Sequence, residues 1–353
     1  MKILGIETSC DETAAAVVED GYNLLSNVVA SSMELHVQYG GVVPEIAARS
    51  HIEAILPVTA QALAEAQTDW NDLDGIAVTY GAGLGGSLLI GVLTARTLAI
   101  IKKKPLYAIN HVEGHVYANF LTKTSLPGYI LRSTQPIFPM LALIVSGGHS
   151  QLVLFKGHFD YTMLGQTHDD AIGEAFDKVA KILGLPYPGG PSIGQKALSG
   201  DPLSFPLPKA KVGGKYDFSF SGVKTAVLRL AQAQIGENFN FPSKDLSERL
   251  NDAQKANIAA SFQHIAIETV VDKTVTAFQE FKPASVVIAG GVAASPELRY
   301  QLSSRLPIEV SYPDPKLCTD NGGMIAALGC YNMLLKQPSA DPFSLTIMPN
   351  LSM

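Results

Sequence analysis

The chain opens on two apolar runs separated by a turn of side-chain oxygens. Ile3, Leu4 and Ile6 form the first run and Ala14 to Val18 the second, with Glu7, Thr8, Ser9, Asp11, Glu12 and Thr13 between them. Two apolar strands joined by a polar turn predict a β-hairpin. The pattern recurs further on: Met140 to Val145, then SGGHS, then Gln151 to Phe155. Repetition of one hairpin type along the chain predicts two related lobes. Helical spacing appears from His51 to Ala66, through Ile52, Ile55, Leu56 and Leu63. Asp74 to Thr79 reads as a short buried strand, and GAGLGGSLLIGVLTARTLAI as a Gly-rich loop opening a helix. That strand–loop–helix order belongs to α/β folds.

Residues from Leu121 to Pro139 hold three prolines and little periodicity, and read as the linker between lobes. In the second half, GEAFDKVAKILG predicts an amphipathic helix ending at Gly184, and PYPGGPSIG a rigid loop. Leu203 to Lys215 is rich in Pro and Lys and reads as exposed; Asn257 to Phe281 reads as a long helix. SVVIAGGVAAS predicts a buried strand, a glycine turn, and a helix with Pro296 near its start. The tail after Lys336 reads as peripheral. The expected division is an N-terminal lobe over residues 1–130 and a C-terminal lobe over 131–353, with the last helices able to pack back on the first lobe.

Composition narrows the function. Of 353 residues, 47% are hydrophobic and 16% charged, which suits a folded core. The net charge of −6 excludes a strongly basic chain that coats nucleic acid, so any such contact needs a local patch or a partner. One basic stretch exists: Lys209, Lys211, Lys215, Lys224 and Arg229, interrupted by Asp217. A solvated surface and a phosphate track both fit it. Cys10, Cys318 and Cys330 form no CxxC, which fits a reducing compartment. No secretory signal is visible at the start. Leu84 to Ile101 is the most apolar long stretch, but it contains Arg96 and several glycines, and a buried helix is expected there instead of a membrane span. A cytoplasmic protein is expected.

The sharpest chemical signal is His111-Val112-Glu113-Gly114-His115. Residues four apart share a helix face, so the two imidazoles can grip one metal. The zinc-protease pattern HExxH puts a glutamate where this chain has Val112, so metalloprotease chemistry is the weaker alternative. Asp320, in a polar turn before an apolar helix, is a candidate third ligand. Two nitrogens and a carboxylate suit iron or zinc. Glycine turns at 81–86, 146–148, 188–190 and 289–291 can cradle phosphate, though none matches a P-loop or a dinucleotide fingerprint. A kinase or ATPase of the same fold, and a non-catalytic nucleotide-binding subunit, would use such turns equally well. Asp11, Glu12 and His149 are candidates for moving a proton, and no catalytic triad can be assembled from spacing.

Nine segments in order carry a resemblance: ILGIETSCDET, YGGVVPEIAARSH, HVEGH, VSGGH, GEAFDKVAK, YPGGP, DFSFSGVKT, AGGV and CTDNGGMIA. Together, from Ile3 to about Leu328, they resemble the TsaD family, once labelled Gcp or O-sialoglycoprotein endopeptidases. The resemblance implies an α/β, two-lobed actin-like, Hsp70 and sugar-kinase (ASKHA) fold, with duplicated mixed-sheet domains and an interlobe cleft. It implies transfer of a threonylcarbamoyl group from threonylcarbamoyl-AMP to N6 of adenosine 37, giving t6A in tRNAs that read codons beginning with A. It implies one divalent metal per subunit, iron(II) ahead of zinc(II), on His111, His115 and Asp320. The adenylate would be bound by Val145, Ser146, Gly147, Gly148 and His149, with Asp177, Gly190 and the turn after Gly291. A TsaB-like paralogue and a TsaE-like ATPase are the implied protein partners, with no membrane. Two departures stand out: Ser295 where many relatives carry Asn, and Gly194 where some carry Asp. A hydroxyl at 295 can still reach a ligand through water, whereas Gly194 offers no side chain.

Overall fold

The computed structural model describes residues 1–353 apart from Lys211. The chain divides into two compact units, one of Met1–Pro136 with Tyr312–Met353, the other of Ile137–Ser311.

The first unit begins with β1 (Lys2–Glu7), β2 (Glu12–Glu19) and β3 (Asn23–Ser31), paired antiparallel in succession. Helices α1 (Met33–Val37) and α2 (Pro44–Glu65) follow, then β4 (Gly75–Gly81), α3 (Gly85–Lys102), β5 (Leu106–Asn110), α4 (His111–Tyr117) and the two-residue β6 (Lys123–Thr124). Strand β4 runs parallel to β1, and β5 parallel to β4, giving the order β5-β4-β1-β2-β3-β6. Leu4, Ile6, Ile76 and Val78 join Ile55, Ala62, Val92 and Ala95 of α2 and α3 in one core. Burial of both sheet faces explains why β1 is apolar at consecutive positions and not at alternate ones.

In the second unit β7 (Met140–Val145), β8 (Ser150–Gly157) and β9 (Asp160–Gln166) are again antiparallel. They are followed by α5 (Ile172–Leu183), α6 (Gly189–Ala197), α7 (Ser221–Gln234), α8 (Leu246–Arg249) and α9 (Asp252–Phe281). Then come β10 (Ser285–Ala289), α10 (Pro296–Arg305) and β11 (Val310–Ser311). The order β11-β10-β7-β8-β9 repeats that of the first sheet, with β10 parallel to β7 and β11 parallel to β10. The duplicated hairpin is therefore part of a duplicated mixed sheet, the ASKHA arrangement. Finally α11 (Pro315–Cys318) and α12 (Gly322–Leu334) belong to the first unit, where α12 packs on β1, β2 and β4.

Several local expectations change. PYPGGPSIG is not a loop throughout: α6 starts at Gly189, after Pro188 at its N-cap. Pro191 falls in the first turn, where the missing N–H would have had no helical acceptor. The predicted helix at 51 begins earlier, at Pro44, because proline at the first helical position is pre-set for the turn. The long helix begins at Asp252, five residues before Asn257, behind a capping box of Asn251 and Gln254. The apolar helix α3 is long and apolar enough to cross a membrane, but here Leu88, Val92, Ala95 and Ala99 are buried in the first unit's core.

The tail after Lys336 is not peripheral. Ala340 N–H donates to the Leu106 carbonyl at 2.7 Å and Met348 N–H to that of Tyr80 at 2.7 Å. The Arg96 guanidinium holds the carbonyls of Pro342, Phe343 and Leu345 at 2.6, 2.7 and 3.2 Å. Asn110 donates to the Ser352 carbonyl at 3.1 Å. The basic stretch is also less free than its charge suggests. Lys209 pairs with Glu268 and Asp272, Lys215 with Glu280, and Lys224 with Asp170. Lys211 lies outside the described residues.

Candidate metal and adenylate sites

Strand β5 ends at Asn110, whose side chain caps α4 by accepting from the N–H groups of Val112 at 2.9 Å and Glu113 at 3.4 Å. That cap starts the helix at His111, so His111 and His115 stand one turn apart with both rings buried. Their centroids are 4.7 Å apart and the rings meet edge to face. The third group comes from the turn before α12. Asn321 caps α12 by accepting from Met324 N–H at 3.0 Å, and its amide ties the carbonyls of Leu317 and Thr319. Asp320 is thereby held so that its Oδ1 lies 3.3 Å from His115 Nε2 and 3.6 Å from His111 Nε2.

The three residues form a group that can hold a metal ion, with one donor atom from each all within 4.8 Å of one another. Donors about 2.0–2.2 Å from a common centre stand roughly 3–4 Å apart, as the Asp320 separations do. The donor set itself fits an ion. Both His115 nitrogens are buried; Nε2 meets only the Asp320 carboxylate and Nδ1 has no hydrogen-bond partner among the described residues, an unfavourable state for a polar ring that a ligand at Nε2 would ease. Without an ion the charges lean on one another. Burial opposes charging of His111, but the Asp320 and Glu7 carboxylates outweigh it and lift its pKa to about 9. Burial would raise the Asp320 pKa, yet His111, His115 and Ser9 hold it well below the usual range.

Of the proton-transfer candidates, Asp11 and Glu12 lie in the first unit, at the β1–β2 turn. The Asp11 carbonyl accepts from the Ser32 N–H and hydroxyl at 3.1 and 2.8 Å. Burial first, then Asp320 and Asp11, push Glu12 up to about 9. His149 belongs to the second unit, in a turn where its N–H donates to Ser146 Oγ at 3.2 Å and its carbonyl accepts from Ser146 N–H at 2.9 Å.

The residues expected to bind adenylate gather around one face of α5. Gly173 in its first turn lies against the 146–148 turn, with its N–H donating to the Ser146 carbonyl at 3.3 Å. A Cβ there would stand 2.6 Å from that carbonyl oxygen. One turn on, Asp177 Oδ1 accepts from Gly189 N–H at 2.7 Å, tying the start of α6 to α5. Burial raises the Asp177 pKa, against that hydrogen bond. Gly290, at φ +88°, brings the end of β10 so close that a Cβ would meet the Val145 carbonyl oxygen at 2.4 Å. Val145, Ser146, Gly173 and Gly290 thus meet in one place, and Cβ positions at Gly147, Gly148 and Gly190 point to open space. The two departures take ordinary places. Ser295 caps α10, accepting from Leu298 N–H at 3.4 Å, and Gly194 lies within α6.

A family model described as TsaD, tRNA N6-adenosine threonylcarbamoyltransferase, matches residues 23–327. The chain belongs to this family. The tRNA N6-adenosine threonylcarbamoyltransferase of Thermomicrobium roseum is 50% identical over 338 residues, covering 94% of this chain and 92% of that one. Its counterpart in Dehalococcoides mccartyi is 47% identical over 352 residues, 100% of this chain and 99% of that one. Among solved structures, full-length HypF in the phosphate- and nucleotide-bound form aligns over 96% of this chain and 47% of its own, at 12% identity and a TM-score of 0.56, a likeness of fold alone.

Spacing alone missed the support around the family's paired histidines. Glu7, Thr8 and Ser9 read as a wet turn, yet all three are buried. Thr8 Oγ1 donates to the Ser87 carbonyl of α3 at 2.9 Å, and Ser9 Oγ lies 3.1 Å from His111 Nδ1. The signal available was that β1 stays apolar on both faces up to Glu7, so the next residues begin inside the core.

Proposed function

We propose that the chain transfers the threonylcarbamoyl group of threonylcarbamoyl-AMP to N6 of adenosine 37 in tRNAs reading codons that begin with A. Family membership over most of the chain supports the reaction and the tRNA substrate. The observation that carries the residue assignment is the meeting of two imidazoles on α4 with the Asp320 carboxylate, over 200 residues away in sequence. In this reading His111, His115 and Asp320 hold one iron(II), with zinc(II) the alternative. A bound ion there supplies Lewis-acid polarisation of a carbonyl.

The chemistry asks for positioning more than for a strong base. The donor is a mixed carbamic–phosphoric anhydride with AMP as its leaving group. The acceptor is an exocyclic adenine amine whose lone pair is delocalised, and so a weak nucleophile. Backbone N–H groups of Gly147 and Gly148, within the Ser146–His149 turn, hold the phosphate, and the start of α6 at Gly190 lies open to the ligand. Asp177, already committed through Oδ1 to Gly189, offers its other oxygen to a ribose hydroxyl or amide. The adenosine must be reached in a single-stranded loop, where its base can splay out. Asp11, Glu12 and His149 are the candidates for moving the amine proton, and no base is assigned among them. In this reading the chain works in the cytoplasm with a TsaB-like paralogue and a TsaE-like ATPase.

The test is reconstitution with tRNA, threonine, bicarbonate, ATP, the adenylate-forming enzyme and the two partners, followed by mass analysis of nucleosides. Wild type is expected to form t6A and to carry one metal per chain. His111→Ala is expected to lose both; full transfer by that variant rejects the metal assignment.

A further inference from the structure

We propose that Glu7 is the positioning residue of the metal site, orienting His111 so that Nε2 faces the ion. The inference rests on the metal reading above and names the residue that prepares one ligand for it. Glu7 closes β1 and is 0% exposed. Its Oε1 accepts from Ser9 N–H at 2.5 Å, and Oε2 accepts from Thr79 Oγ1 at 2.5 Å. Oε2 also lies 3.2 Å from His111 Nδ1. A carboxylate so deep in the core is costly unless its oxygens are satisfied. Two neutral donors pin it in place, and the remaining direction of Oε2 points at the imidazole.

The proton positions follow from the partners. A carboxylate only accepts, so Nδ1 of His111 carries its hydrogen toward Glu7, and Nε2 is the nitrogen left to give its lone pair to an ion. Ser9 completes the arrangement. Its Oγ lies 3.1 Å from the same Nδ1 and donates to Asp320 Oδ2 at 3.5 Å. One short turn therefore reaches an imidazole ligand from behind and the carboxylate ligand from the side. Thr79, on neighbouring β4, links the arrangement to the parallel part of the sheet. His115 makes no such contact, its Nδ1 having no hydrogen-bond partner among the described residues. The two imidazoles are thus unequal: Nδ1 of His111 is engaged by a carboxylate before an ion arrives, and Nδ1 of His115 is not. Losing an orienting carboxylate typically costs about 10–100-fold in metal affinity.

The experiment uses the full chain with 15N-labelled histidine, metal-free and zinc-loaded, and reads the tautomer of each ring by long-range nitrogen–proton correlation. Zinc(II) and iron(II) affinities are measured alongside by competition with a chelator, in wild type, Glu7→Gln and His115→Ala. The expected result for wild type is His111 protonated at Nδ1 and bound through Nε2 in the zinc-loaded protein. Glu7→Gln, of nearly the same size, is expected to mix the tautomers of His111 only and to weaken both metals by about 10–100-fold. A merely structural glutamate would leave the tautomer and both affinities unmoved. The proposal is overturned if zinc-loaded wild type carries its His111 proton on Nε2, a result that requires no variant to fold. It is equally overturned if Glu7→Gln binds both metals within twofold of wild type. Failure of the metal reading looks different: wild type and His115→Ala would then bind zinc and iron equally weakly.

Discussion

The Asn110 side chain does two jobs at the start of α4, and replacing it separates the stability of the helix from the metal chemistry proposed for it. Asn110→Ala removes the cap on Val112 and Glu113 N–H and the donor to the Ser352 carbonyl. Loss of an N-cap costs about 1 kcal/mol. The exposed bond to Ser352 adds roughly 0.5 kcal/mol. The sum of about 1.5 kcal/mol makes local opening of α4 about tenfold more frequent, since 1.4 kcal/mol is a factor of ten. Amide hydrogen exchange of a peptide spanning α4 reads this directly in the metal-free protein. Asn110→Ala is expected to exchange about tenfold faster there, while Asn110→Asp, which keeps the capping oxygen and loses only the Ser352 donor, exchanges about twofold faster. Because α12 still covers the helix, α4 stays closed nearly all the time, and metal affinity should change by less than about twofold. Exchange in Asn110→Ala equal to wild type would refute the cap argument, and a large loss of metal affinity would refute its separation from the ligands.

Two further outcomes test other parts of the molecule. His51 is buried, its Nε2–H donating to the Cys10 carbonyl at 3.0 Å and its Nδ1 accepting from Thr13 Oγ1 at 2.8 Å, and burial outweighs the Cys10 carbonyl and the Glu7 and Asp11 charges in lowering its pKa. The unfolded chain therefore binds this proton more readily, so the cost falls on the folded state as pH drops through the ordinary histidine value toward the lowered one. Urea midpoints at pH 7.5 and 5.5 should show a larger acid loss in wild type than in His51→Gln, and equal losses would reject the assignment. Gly290→Ala puts a Cβ at φ +88° against the Val145 carbonyl, so the turn must move. Calorimetry with a non-hydrolysable adenylate analogue should show weaker binding by at least about tenfold, with iron affinity unchanged, since backbone strain of 1–3 kcal/mol is at stake; unaltered adenylate affinity would remove that turn from the site.

Local physics is what the amino-acid sequence determined by itself. Consecutive apolar runs around Ile3–Ile6 and Met140–Val145 require buried strands, the intervening polar residues require turns, and a four-residue spacing places His111 and His115 on one helix face. These follow from the periods of the backbone. The strands β3 and β9 were less readable because they mix exposed and buried positions, and α6 because Pro188 and Pro191 mimic a loop when they sit at a helix start. The tail after Lys336 carried no periodic signal, since its order comes from Arg96 and backbone partners about 250 residues away. The sequence put Asp320 forward beside the imidazole pair, but tertiary structure alone brought it there and decided which carboxylate stands behind His111. Asp320 and Glu7 are both acidic residues in polar stretches, alike by composition. One is presented by the cap of α12 and the other by the end of a strand covered on both faces, and burial of the second is a property of the assembled sheet.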